Sequence, residues 1–247
     1  MQVPLIFEFI EDIAKLTLIV ACLYFVLSAY VRQKQSALSR SLGKRRLTVL
    51  LVLVLAVSAA KVSEDVLGGE SGPFDRTVLL FIHEHVSSTL IDFFKVVTFT
   101  GSSRVLVPLA SVVTVALLCA RRRFEALLIA ASVSSAAFVI YSLKLLVGRS
   151  RPMLWDTDWY WGTSFPSGHT LVVAAFATAT TLCVNRIRPG AHKPAMALAA
   201  LWISLVAISR LILGVHWPTD VLAAACIGIF LPLAISVALE VANNRRQ

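Results

Sequence analysis

Long apolar blocks separated by short polar connections recur along the whole chain. With soft ends they cover residues 13–31, 47–66, 104–120, 124–146, 169–185, 195–213 and 218–240. An α-helix needs about 20 apolar residues to cross bilayer hydrocarbon, so each block predicts a membrane span. The connection at 68–103 reads differently. In GGESGPFDRTVLLFIHEHVSSTLIDFFKVVTFTGSS the apolar residues recur at three- and four-residue spacing between charges. That pattern predicts short amphipathic helices lying on the bilayer. The expected fold class is therefore all-α, a polytopic transmembrane helix bundle.

Composition strengthens this picture. Of 247 residues 57% are hydrophobic and only 15% charged, with a mean hydropathy of +0.80. Soluble domains run nearer to 45–50% apolar and about 25% charged. Most of the length is needed for the bundle itself, which leaves no room for a large separate soluble domain.

The formal net charge of +9 raises the question of nucleic acid. The basic residues, however, cluster between apolar blocks, in 32–46, 121–123, 185–193 and the terminal NNRRQ. Cytoplasmic loops have this distribution under the positive-inside rule, and no aromatic-interleaved basic surface accompanies the charge. Threading the basic loops inside places 67–103, 147–168 and 214–217 on the opposite side, with seven spans, N-terminus out and C-terminus in. Six spans is the runner-up, with the first run in the interface. MQVPLIFEFIEDIAK carries Glu8, Glu11 and Asp12 against Lys15, which does not suit a secretory signal and predicts a retained span. Cys22, Cys119, Cys183 and Cys226 fall inside apolar runs and read as small core residues.

Polar residues are costly near a membrane and therefore informative. Three clusters fall at the outer ends of predicted helices. KLLVGRSRP (144–152) places Lys144 at a helix end, with Arg149 and Arg151 just beyond it. Snorkelling toward headgroups would explain such cations, but they lie on the side the positive-inside rule disfavours. SFPSGHT (164–170) reads as a turn and helix start, with Ser167 as N-cap. Its N-terminal N–H groups form an anion site, Gly168 admits close backbone approach, and His169 stands in the first turn. An interfacial histidine is the plainer alternative there. SRLILGVHWPTD (209–220) ends one span at Arg210, turns at Gly214 and starts a new helix near Trp217 and Pro218. Asp220 can then reach the His216 ring to hold its tautomer, or merely cap the helix.

Taken from these clusters, Lys144, Arg151 and Arg210 are three cations that join a helix N-terminus, two histidines and one aspartate. Fixed cations and oriented N–H donors are what phosphoryl oxygens require in transfer. A histidine backed by a carboxylate suits a nucleophile, and a second without one suits a general acid. The sequence has no carboxylate-rich set for Mg²⁺ and no HExxH-type zinc set. His83 and His85 are two apart, point to different helix faces and lack an obvious third ligand. The pattern implies phosphoryl transfer through a phosphohistidine with no metal and no cofactor.

K-x6-RP (Lys144 to Pro152), PSGH (Pro166 to His169) and SR-x5-H-x3-D (Ser209 to Asp220) together resemble the type 2 phosphatidic acid phosphatase (PAP2) superfamily. It includes undecaprenyl-diphosphate, phosphatidylglycerophosphate and lipid A phosphatases, soluble acid phosphatases and vanadium haloperoxidases. The resemblance runs from about residue 45 to 240. It implies a six-helix core, the run at 13–31 being an added span, with the site at the outer membrane face of a bacterial plasma membrane. It implies domain bounds of 1–44 for an N-terminal span and basic loop, 45–241 for the phosphatase and 242–247 for a cytoplasmic tail. His216 would be the nucleophile with Asp220 as partner, and His169 the leaving-group acid. Lys144, Arg151 and Arg210, with Ser167 and Gly168, would bind phosphate. The expected partner is a lipid phosphate drawn from the bilayer, and the sequence is silent on oligomeric state. A lipid phosphotransferase or lipid A 1-phosphatase of the same superfamily is the alternative, and a lipid or phosphate transporter a more distant one. Leu154, Trp155, Trp159, Tyr160 and Trp161 could line an acyl or prenyl entrance, or serve as interfacial aromatics.

Overall fold

A computed structural model describes residues 15–26, 28–29, 46–155 and 162–244. The described residues form helices and connections, without a strand. A short apolar helix, α1 (Lys15–Val26), comes first. It is followed by α2 (Arg46–Gly68), α3 (Gly72–His85), α4 (Ser88–Thr100), α5 (Ser103–Cys119) and α6 (Arg123–Val147). Then come α7 (Gly168–Ile187), a 3₁₀ turn (Pro189–Ala191), α8 (His192–Ile212) and α9 (Pro218–Asn244). Among the described residues six helical stretches are long and apolar enough to cross a membrane. They are Leu47–Gly68, Ser88–Cys119, Arg123–Val147, Gly168–Ile187, Pro189–Ile212 and Pro218–Asn243. The described part of α1, Lys15–Val26, is apolar but by itself shorter than a span needs. The rest of the run at 13–31, apart from residues 28–29, and all but the last residue of the basic loop at 32–46 lie outside the described residues.

Helix α7 is the axis of the bundle. Half of its most apolar stretch is buried, against 6% for α2, and it packs on α6, α8 and α9. Its buried face includes Ala174, Ala175, Ala177 and Ala179, small side chains that let helix backbones approach closely without a hydrophobic driving force between them. The crossing with α9 is the tightest: a Cβ on Gly228 would lie 2.5 Å from the Leu171 carbonyl oxygen and 2.6 Å from the Ala174 Cβ. Neither neighbour can rotate away. Gly228→Ala should therefore lower the thermal midpoint in detergent, with an overpacking cost of about 1–3 kcal/mol. Gly190→Ala, where a Cβ would meet nothing within 4 Å, is the matched control and should leave the midpoint unchanged.

Two features hold the ends of the bundle. At the end away from the three motifs, Arg186 pairs with Glu125 at 3.5 Å and Glu240 at 3.1 Å, joining α6, α7 and α9. Near the other end, the Trp202 indole N–H donates to the Thr100 hydroxyl at 2.9 Å and ties α8 to α4. The connection at 68–103 does contain two helices, but α4 does not simply lie on the bilayer. It packs along α8 and continues into α5 as one apolar stretch, Ser88–Cys119. STLIDFFKVVTFT carries only Asp92 and Lys95 as charges, so it has too little polar face to rest in an interface. Among the cysteines, Cys183 and Cys226 are buried as expected, whereas Cys22 and Cys119 are exposed on apolar helices.

Candidate active site

Antiparallel packing brings the C-termini of α6 and α8 and the N-termini of α7 and α9 to one end of the bundle. Gly148 ends α6 in the left-handed conformation at φ 63°, its N–H returning to the Lys144 carbonyl at 3.3 Å. The chain then folds back. Ser164 N–H donates to the Arg149 carbonyl at 2.8 Å, and the Lys144 ammonium donates to the Thr163 carbonyl. This return leads directly into the start of α7. Gly214, at φ 64°, makes the corresponding turn after α8.

His216 sits at the centre, 2% exposed. Its Nδ1 lies 3.4 Å from Asp220 Oδ2, and an Arg151 Nη1 donor approaches its Nε2 at 3.3 Å. An N–H donor at Nε2 requires a lone pair there, so these partners assign the proton to Nδ1, facing the carboxylate. Burial pushes the imidazole pKa down to about 3, against the opposing pull of Asp220. The ring is therefore neutral at pH 7, with its unprotonated nitrogen turned toward a cation. Arg151 is held by the Gly162 carbonyl at 2.9 Å and the Val215 carbonyl at 2.7 Å. Asp220 does both things the sequence left open: Oδ2 also accepts the Trp217 N–H at 3.0 Å, capping α9 while facing His216.

The remaining sequence-derived residues surround this pair. Arg210 is 1% exposed and donates to the Thr98 hydroxyl at 2.7 Å. Lys144 lies within electrostatic reach of Arg151, Asp220 and Arg210, and His169 within reach of Arg210, His216, Arg151 and Lys144. Ser167 occupies the N-cap position of α7, but its hydroxyl meets the Thr170 hydroxyl at 3.0 Å and makes no backbone cap. Its N–H donates to the Asp220 carbonyl at 3.2 Å, which ties the starts of α7 and α9 together. A Cβ on Gly168 would touch only the Ile140 side chain, at 3.8 Å and beyond. Gly101 backs His169: a Cβ there would lie 3.5 Å from the His169 Cβ and 2.9 Å from Val206.

Comparison with known proteins gives this end of the bundle a family. A PAP2 superfamily model matches residues 124–243. Phosphatidylglycerophosphatase B of Bacillus subtilis is 30% identical over 138 residues, covering 55% of this chain and 68% of that protein. The chain belongs to the PAP2 superfamily. Phosphatidylglycerophosphatase B of Escherichia coli K12 is 39% identical over 66 residues, 27% of this chain and 25% of that protein, so the match spans only about a quarter of that relative. The PAP2 fold is also that of a crystal structure, a transmembrane phosphatidylglycerolphosphate phosphatase from Bacillus subtilis. The two agree with a TM-score of 0.66 at 22% identity, over 81% of this chain and 97% of that one.

Several residues of this candidate site leave no signal in the sequence. Arg149 was visible as a cation beside Lys144, but its partners Ser71, Asp75 and Thr219 lie 70 or more residues away and leave no local signal. Thr98 was hidden in the connection expected to lie on the bilayer. His83 stacks face to face on Trp155, centroids 4.0 Å apart, and His85 stacks on Phe81 at 4.2 Å. These histidines thus point into separate aromatic contacts. The Trp155 ring also lies where a Cβ on Gly214 would be, 2.5 Å from its Cζ2. It therefore borders the turn that leads to His216. Trp159, Tyr160 and Trp161 lie outside the described residues.

Proposed function

We propose that this protein is an integral-membrane lipid phosphatase that hydrolyses a lipid phosphate or diphosphate through a phosphohistidine intermediate. The supporting observation is the His216 environment: a neutral imidazole with Asp220 behind Nδ1 and Arg151 at Nε2, beside a second histidine at a helix start. The substrate enters from the outer leaflet of a bacterial plasma membrane and places its terminal phosphate among Lys144, Arg151 and Arg210. The N-terminus of α7, with Ser167 and the Gly168 amide, adds donors to the phosphoryl oxygens. His216 Nε2 attacks phosphorus in line, forming the N–P bond as the ester or anhydride P–O bond breaks. Asp220 stabilises the positive charge that appears on the imidazole. His169 gives its proton to the departing oxygen, then removes one from water as that water attacks the phosphohistidine. Inorganic phosphate leaves, and His216 returns to its neutral form.

The phosphatase domain on this reading is 45–241, preceded by an N-terminal segment (1–44) and followed by a short tail (242–247). The open substrate set is undecaprenyl diphosphate, phosphatidate, phosphatidylglycerophosphate and lipid A 1-phosphate. Phosphate release from each by the purified protein, with water and lipid acceptors compared, identifies the substrate and separates hydrolase from transferase. No phosphate release from any of them would sink the proposal in favour of a transporter. Because the fixed cations already balance the phosphoryl charge, activity should survive exhaustive chelation. A strict Mg²⁺ requirement would overturn this mechanism.

A further inference from the structure

We propose that Asp75 and Arg149 are positioning residues for the His216–Asp220 pair, making a largely buried chain that runs from α3 to the nucleophile. This rests on the assignment of His216 as nucleophile. Asp75, in the first turn of α3, is fully buried. Its Oδ1 accepts the Thr219 N–H at 2.9 Å, and its Oδ2 accepts the Thr219 hydroxyl at 2.7 Å. Arg149 Nη2 donates to the same Oδ2 at 2.6 Å and to the Ser71 hydroxyl at 3.1 Å. The other arm, Nη1, donates to Asp220 Oδ1 at 2.7 Å and to the Thr219 hydroxyl at 2.9 Å. One guanidinium thus bridges two carboxylates whose side chains are both 0% exposed.

This arrangement governs the catalytic pair in two ways. Asp220 has two oxygens, and Arg149 occupies Oδ1, so rotation of the carboxylate away from His216 would break a short charge-assisted hydrogen bond. Oδ2 is left to His216 and the Trp217 N–H. Asp75 meanwhile accepts the Thr219 N–H, so two backbone donors at the start of α9, those of Trp217 and Thr219, end on carboxylates, Asp220 and Asp75. The start of α9 is pinned from outside the three motifs. Both Nη atoms of Arg149 are engaged by carboxylates and hydroxyls. It balances the charge behind the nucleophile instead of the charge in front of it.

The test uses full-length protein in detergent, a radiolabelled lipid phosphate that the wild type hydrolyses, and Asp75→Asn. The amide preserves shape and can still accept the Thr219 N–H, but removes the negative charge facing Arg149. We expect kcat to fall about 10- to 100-fold with KM within about 3-fold, the scale on which outer partners of reacting groups act. In an Asp220→Asn background the same change should cost less than about 3-fold, because its effect passes through Asp220. An equal loss in both backgrounds, or an unchanged kcat, overturns the positioning role. Arg149→Lys provides an independent arm should Asp75→Asn fail to fold. It keeps one charge but cannot bridge with two separate nitrogen arms, and it must show the same split. His216→Ala is run alongside. Activity surviving in that variant sinks the nucleophile assignment, whereas its loss together with an additive Asp75 effect sinks only the positioning role.

Discussion

His216→Ala is expected to abolish phosphate release and, with it, any acid-labile phosphoenzyme. Loss of a covalent nucleophile commonly costs about 10⁴-fold or more, because the groups that remain can only bind and polarise the substrate. The geometry makes this the largest effect available in the molecule. The Nε2 lone pair faces Arg151 at 3.3 Å, and burial keeps the ring neutral, so no protonated fraction needs to be discharged before attack. The buried volume is retained in His216→Gln, which should be equally inactive while melting near the wild-type temperature. Phosphate release at a tenth of the wild-type rate in either folded variant would exclude His216 as the attacking group.

His169→Gln should have the second largest effect, and its signature is different. On a lipid phosphate, whose leaving alkoxide is strongly basic, loss of the general acid should cost about 10²- to 10⁴-fold. On p-nitrophenyl phosphate the leaving phenolate needs no proton, so the first step should proceed at close to the wild-type rate. Hydrolysis of the phosphohistidine still requires a base for water. A burst of nitrophenolate followed by slow turnover is therefore expected, with phosphohistidine accumulating and mapping to His216. Equal losses on both substrates, with no burst, would remove His169 from the leaving-group role. Lost burst in His216→Ala and retained burst in His169→Gln together separate the two histidines.

Much of the candidate site is legible because its signals are local. Lys144 and Arg151 flank a glycine that ends a helix, PSGH starts one, and Asp220 follows His216 by four residues at another start. Each is a helix terminus, where unsatisfied backbone groups impose a recognisable choice of residues. Positive-inside threading then put the three on one side. Legibility failed where a side chain answers to a distant partner. The Ser167 hydroxyl turned to Thr170 instead of the backbone. Arg149 reads only as a cation just beyond the Lys144 helix end, because Asp75 stands 74 residues before it. Helix α4 was read from its spacing alone, and only its packing on α8 explains why Thr98 meets Arg210.

The sequence by itself determined the helix spans α2 and α5 to α9, the membrane setting and the three clusters that meet at one end. Hydropathy and helix-end chemistry act over a turn or two, so they can be read along the chain. Tertiary structure alone decided which cation serves which anion. Lys144, Arg149, Arg151 and Arg210 all reach this end of the bundle; the K-x6-RP spacing singles out Arg151, but nothing along the chain says what Arg149 pairs with. Packing does so: α3 brings the fully buried Asp75 against the start of α9, a contact between residues 144 positions apart. A buried carboxylate must be paired with a cation, and Arg149 lies 2.6 Å from it.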